Sequence, residues 1–104
     1  MIEVLDTIER WKAEGQRIAV ATVVAVEQSA PRDPGAVMTV NERGDVAGSV
    51  SGGCVESAVY EEAQDAIATG RPRLVTYGIS DADAISVGLT CGGTIHVFVE
   101  RVDW

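Results

Sequence analysis

Two short segments of this sequence carry the residue types that could do chemistry. In Gly48-Ser49-Val50-Ser51-Gly52-Gly53-Cys54-Val55-Glu56 a strand pattern runs through a Gly-Gly pair into a helix pattern. In Gly88-Leu89-Thr90-Cys91-Gly92-Gly93-Thr94 a cysteine and a Gly-Gly pair lead into a last strand. With Gly53 as N-cap, Cys54 becomes the first helical residue and Glu56 the third. Free backbone N–H groups and the positive end of the helix dipole then surround the Cys54 sulfur. That setting favours thiolate over thiol, and the same N–H groups suit an anion such as a phosphate. Glycines beside each cysteine leave the backbone open to close approach.

Thiolates are soft ligands, suited to zinc, copper(I), iron–sulfur clusters or a thiophilic molybdenum centre. A closed structural zinc site needs four ligands. Cys54, Cys91 and His96 make three, so such a site would need a dimer. A Cys54–Cys91 disulfide would require an oxidising compartment. There is no Cys-x-x-Cys and no Walker motif, and Gly48 through Gly53 does not spell the dinucleotide-binding Gly-x-Gly-x-x-Gly. The plain reading stands beside these: a Gly-Gly before a helix is a tight turn, and a lone cysteine is a small buried apolar residue.

Other polar residues divide in the same way. The Arg32 guanidinium could fork onto a phosphate or be a solvated loop residue, with Ser29 shaping the same loop. Glu56 reads as a helix-start charge completing half a capping box rather than as a catalytic group. His96, on the strand face opposite Ile95 and Val97, reads as a structural histidine rather than a ligand. Asp81 and Asp83 read as a cap or turn rather than metal ligands, and Trp11 as core or partner-facing.

The elements that must position these residues follow from periodicity. Ile2, Leu5, Ile8 and Trp11 predict a helix over 2–14, stopped by Gly15. Ile18 through Val26 is a nearly continuous β-branched run that suits a central strand covered on both faces. Two prolines and a glycine make 29–35 a loop. Strands are expected at 36–40 and 45–50, joined by the turn Asn41-Glu42-Arg43-Gly44. A helix over 54–69 buries Val55, Val59, Ala63, Ala66 and Ile67, and ends at Gly70 and Pro72. A strand at 73–77, a short capped helical segment over 80–87 and a strand at 94–100 complete the chain. The expectation is an α/β fold, a mixed sheet of about five strands with two principal helices, forming a single domain over 1–104.

Length and charge narrow the function. A chain of 104 residues is one domain and long enough for a real core. The formal net charge of −8 argues against nucleic acid, whose phosphates need a basic footprint, and against an anionic membrane surface. No signal-peptide pattern opens the sequence, no apolar run reaches the ~18–20 residues of a membrane span, and two cysteines are not a disulfide framework. A reducing cytoplasm is the expected location.

Taken together, Ser29-Ala30-Pro31-Arg32, Pro34-Gly35-Ala36, Gly48 through Glu56 and Gly88 through Gly93 resemble, in order and spacing, the hallmark segments of the xanthine dehydrogenase accessory factor (XdhC/CoxI) family. The likeness covers essentially the whole chain. It implies an accessory factor that binds the molybdopterin form of the molybdenum cofactor transiently, protects it, supports its sulfuration and helps insert it into a molybdenum hydroxylase apoenzyme such as xanthine dehydrogenase or carbon monoxide dehydrogenase. Longer family members carry a Rossmann-like C-terminal domain, so the sequence resembles a short single-domain form or half of a split pair. On this reading Cys54 and Cys91 face the molybdenum or the dithiolene sulfurs as thiol ligands or sulfur carriers. Ser51, Gly52, Gly53, Gly92 and Gly93 supply N–H groups and close approach, and Arg32 with Ser29 meets the phosphate. The expected partners are the apoenzyme and either a Rossmann-like chain or a sulfur donor, and a homodimer through an exposed strand edge stays open. Two other classes remain: a small thiol redox or sulfur-transfer enzyme with a nucleophilic Cys54, and a scaffold indifferent to both cysteines. A cofactor-binding chaperone is expected rather than an enzyme with turnover.

Overall fold

The run Ile18–Val26 lies at the middle of the structure, as its nearly unbroken apolar character requires. The computed structural model describes residues 2–27, 34–51, 55–78 and 94–103. In chain order its elements are α1 (Ile2–Ala13), β1 (Ile18–Glu27), β2 (Val37–Asn41), β3 (Val46–Gly48), α2 (Glu56–Thr69), β4 (Arg73–Gly78) and β5 (Thr94–Arg101). The strands form one five-stranded sheet in the order β3-β2-β1-β5-β4, so β1 is its centre.

The α/β class, the five strands and the two helices agree with the sequence. The strand directions do not: a mixed sheet was expected, and every neighbouring pair is antiparallel. The reason lies in the path of α2. A helical crossover ordinarily joins parallel neighbours. Here it carries the chain from β3 at one edge of the sheet to β4 at the other, so these two strands run in the same direction without touching.

Each face of the sheet has its own apolar cluster. Ala19, Ala21, Val23, Met38, Val40, Ile95, Val97 and Val99 pack against Val59, Ala63, Ala66 and Ile67 of α2. On the other face Val4, Ile8 and Trp11 of α1 cover Ile18, Val20 and Val37. Trp11 is therefore core. The buried stripe of α1 runs through Val4, with Leu5 only half-buried.

The cover over β1 is incomplete. A bulge between Val23 and Ala25 interrupts its register with β5, and Val24, the extra residue there, is 50% exposed. The turn between β2 and β3 is held by the buried Asn41, whose Oδ1 accepts the N–H groups of Arg43 and Asp45 at 3.0 Å each. This is the local bonding for which asparagine is favoured in turns. Helix α2 ends on Gly70 in the left-handed conformation, φ 74°, with its N–H donated to the Ala66 carbonyl at 2.8 Å. The Arg73 guanidinium then ties β4 to α2 through Glu62, at 2.8 Å, and Asp65. No helix among the described residues is long and apolar enough to cross a membrane.

Candidate functional site

The alternation of strand directions decides where the glycine–cysteine segments can go. Strands β1, β3 and β4 finish at one end of the sheet, and β2 and β5 begin there. The connections 28–36, 49–55 and 79–93 consequently all leave and re-enter at that same end. They contain every residue that the resemblance assigns to the cofactor: Ser29 and Arg32 in the first, Ser51, Gly52, Gly53 and Cys54 in the second, Cys91, Gly92 and Gly93 in the third. Of these, Ser51 lies among the described residues. The other eight lie outside them, as does the helical segment expected around Asp81 and Asp83.

At Ser51 the structure shows a compact knot around Glu56. The Oε2 atom of Glu56 accepts from the Ser49 hydroxyl at 2.6 Å and from the N–H groups of Val50 and Ser51 at 2.9 Å each. Its Oε1 accepts from the Ser51 hydroxyl at 2.5 Å. The Ser51 Oγ in turn accepts the Val55 N–H at 2.9 Å, so the two residues flanking 52–54 are joined through one hydroxyl. Val50 and Ser51 are fully buried.

This corrects the expected start of α2. The helix opens at Glu56 with Val55 as its N-cap residue, where Gly53 was expected, and no side chain caps it. With Val55 as the N-cap residue, Glu56 is the first residue of the helix and not the third position that a capping box uses. Its carboxylate reaches back to the end of β3, where two hydroxyls and two N–H groups donate to it. Ser51, expected to offer its N–H to a ligand, donates both its N–H and its hydroxyl to Glu56. Ser49 and Glu56 escaped sequence reasoning as a pair. The legible signal was Ser-x-Ser at the end of a strand, with a glutamate five and seven residues further on.

The electrostatics follow from opposing causes. Burial pushes the Glu56 carboxyl up, but the hydroxyls of Ser49 and Ser51 and the N–H groups of Ser51 and Val50 outweigh it and bring it down from 4.5 to about 2. A carboxyl lowered on folding lends stability that is complete above the unfolded value of 4.5 and lost as pH falls through the folded value of about 2. The urea midpoint should therefore drop between those two values, and Glu56→Gln should remove part of that slope. Equal slopes in the two proteins would show that the carboxyl is not held low.

His96 is satisfied on the opposite sheet face, its Nδ1 2.9 Å from the Thr76 hydroxyl and its Nε2 2.9 Å from Glu27 Oε2. Tyr77 faces α2, where burial and then the Glu62 charge push its hydroxyl up to about 12. No group of three or more metal-binding side chains occurs among the described residues. The thiols of the sequence are Cys54 and Cys91, on two of the three connections.

Fold and site together define an α/β domain that gathers its motif-bearing connections at one end of an antiparallel sheet. The pattern of the XdhC and CoxI family matches residues 11–78, and the chain belongs to that family. It is 36% identical over 100 residues to the molybdenum cofactor insertion chaperone PaoD of Escherichia coli (strain K12), covering 92% of this chain and 31% of that protein. It is 39% identical over 92 residues to a probable xanthine dehydrogenase subunit of Bacillus subtilis (strain 168), covering 86% of this chain and 28% of that one. The crystal structure of a xanthine dehydrogenase from Bacillus halodurans superposes with a TM-score of 0.82 at 37% identity, over 95% of this chain and 30% of that one. The chain thus spans less than a third of the length of these relatives.

Proposed function

We propose that this domain binds the molybdenum cofactor at the end of the sheet where connections 28–36, 49–55 and 79–93 meet, and serves as an accessory factor in maturing a molybdenum hydroxylase. The observation that carries the reading is the shared exit of those three connections, because every segment that bears a candidate donor starts and ends at one end of the sheet. The donor chemistry fits the cofactor: Cys54 and Cys91 are soft thiols for molybdenum or its dithiolene sulfurs, and Arg32 with Ser29 suits the phosphate. Gly52, Gly53, Gly92 and Gly93 let backbone approach the pterin. The Escherichia coli relative, by name a molybdenum cofactor insertion chaperone, supports the same assignment.

On this reading the protein holds cofactor rather than turning over substrate. Its partner is the apoenzyme of a xanthine dehydrogenase or carbon monoxide dehydrogenase type hydroxylase. Protection and sulfuration of the cofactor precede its insertion, with a Rossmann-like chain or a sulfur donor as a further partner.

The test is anaerobic binding of molybdenum cofactor to the purified chain and to its Cys54→Ser and Cys91→Ser variants. Wild type should bind, and each variant should lose about tenfold or more in affinity, on the order of one strong ligand contact. Equal binding by both variants would remove the cysteines from the site. No binding by wild type, with or without a Rossmann-like partner, would overturn the assignment.

A further inference from the structure

The knot around Glu56 has a role beyond stability. Its carboxylate bonds the strand side of Gly52-Gly53-Cys54, while its own backbone begins the helix on the far side. We propose that Glu56 is the positioning residue of this turn: through bond geometry, and not through proton transfer or ligation, it sets the segment bearing Cys54 for the cofactor. The inference rests on the proposed cofactor site and names what holds one wall of it.

Three observations carry it. From the described residues Oε2 takes three donors and Oε1 a fourth, which fills the roughly four acceptor sites of a carboxylate. The Val50 and Ser51 N–H groups form a small concavity of the kind that binds anions, and the protein's own carboxylate fills it. An anionic group of the ligand must therefore be met by other donors. Finally, the Ser51 hydroxyl donates to Glu56 and accepts from Val55, so one buried atom fixes both flanks of the three-residue segment 52–54.

Glutamine separates geometry from charge. Its carbonyl oxygen, with two lone pairs, can keep two of the three donors that Oε2 now accepts, and its amide N–H can donate to Ser51 Oγ, which keeps a lone pair for the Val55 N–H. Alanine can do neither. A group acting as base, acid or metal ligand would be lost in both substitutions alike.

The experiment compares Glu56→Ala, Glu56→Gln and Ser51→Ala with wild type by amide hydrogen exchange and by anaerobic cofactor affinity. Glu56→Ala and Ser51→Ala should speed exchange at Val50, Ser51 and Val55 about tenfold or more, with β1 and β5 amides unchanged. Both should weaken cofactor binding about tenfold, and Glu56→Gln should stay within about threefold of wild type in both measurements. Glu56→Gln losing binding as far as Glu56→Ala while those amides stay protected would overturn the proposal. So would fast exchange in Glu56→Ala with unchanged affinity. If wild type binds no cofactor, the proposed function fails by itself, and the rate of iodoacetamide modification of Cys54 in a Cys91→Ser background decides the positioning role. A change of about tenfold in Glu56→Ala that Glu56→Gln restores supports it, and equal rates in all variants overturn it.

Discussion

Gly48→Ala is expected to destabilise the domain by about 2–4 kcal/mol, the sum of backbone strain and a steric clash. Gly48 ends β3 at φ +79°, a conformation that L side chains rarely adopt, and a Cβ there would sit 2.3 Å from the Val37 carbonyl oxygen and 2.9 Å from Val4 Cγ1. The first neighbour is main chain in the adjacent strand and cannot swing aside. That same carbonyl accepts the Ser49 N–H at 2.9 Å, so any shift of Val37 disturbs the residue that opens the Glu56 knot. For a domain of about 100 residues the loss corresponds to a melting temperature lower by roughly 8–20 °C. Gly35→Ala is the matched control: its φ is +96° but none of the described residues lies within 4 Å of the added atom. It should show only the strain part, about 1–2 kcal/mol. Equal losses in the two variants, measured by thermal and urea unfolding, would mean that the contact with Val37 plays no part.

Which features were legible depended on how local their cause is. The Ile18–Val26 run, the α2 stripe Val59, Ala63, Ala66 and Ile67 and the Asn41 turn are set by spacing and by bonds within a few residues, and the structure has them where the sequence put them. Strand direction is not local. It depends on α2 crossing from edge to edge, which a run of apolar residues does not encode. The same limit explains Glu56. Its position after a Gly-Gly pair suggested a helix-start charge, but its partners are hydroxyls and N–H groups of a strand end, chosen by tertiary approach. In α1 the period was right and the phase slightly off, because Val4 and Leu5 are equally apolar and only the sheet beneath selects Val4. The grouping of the candidate residues was legible as motifs in one sequence order. Their common end of the sheet needed the antiparallel register.

Ile95→Ala should carry the largest cost among single core truncations near that end of the sheet, about 2–5 kcal/mol. Ile95 is fully buried in the cluster under α2 and is paired with Val26 on one side and Tyr77 on the other. Those two partners stand at the ends of the strands that lead into connections 28–36 and 79–93. A cavity at Ile95 is walled by three strands and a helix that hold one another in place, so little collapse is available to offset it. Leu74→Ala removes a side chain of the same volume from β4, but Leu74 is 63% exposed on the other face. That change should stay within about 0.5 kcal/mol. Urea unfolding at neutral pH reads both, with the denaturant slope expected to be unchanged because neither substitution alters the surface exposed on unfolding much. A small loss at Ile95 would mean that the end of the sheet relaxes freely, and a support that soft could not hold three connections in register for one ligand. A large loss at Ile95 beside none at Leu74 would establish that the strands beneath the proposed cofactor site form a rigid floor, built from the face that α2 covers.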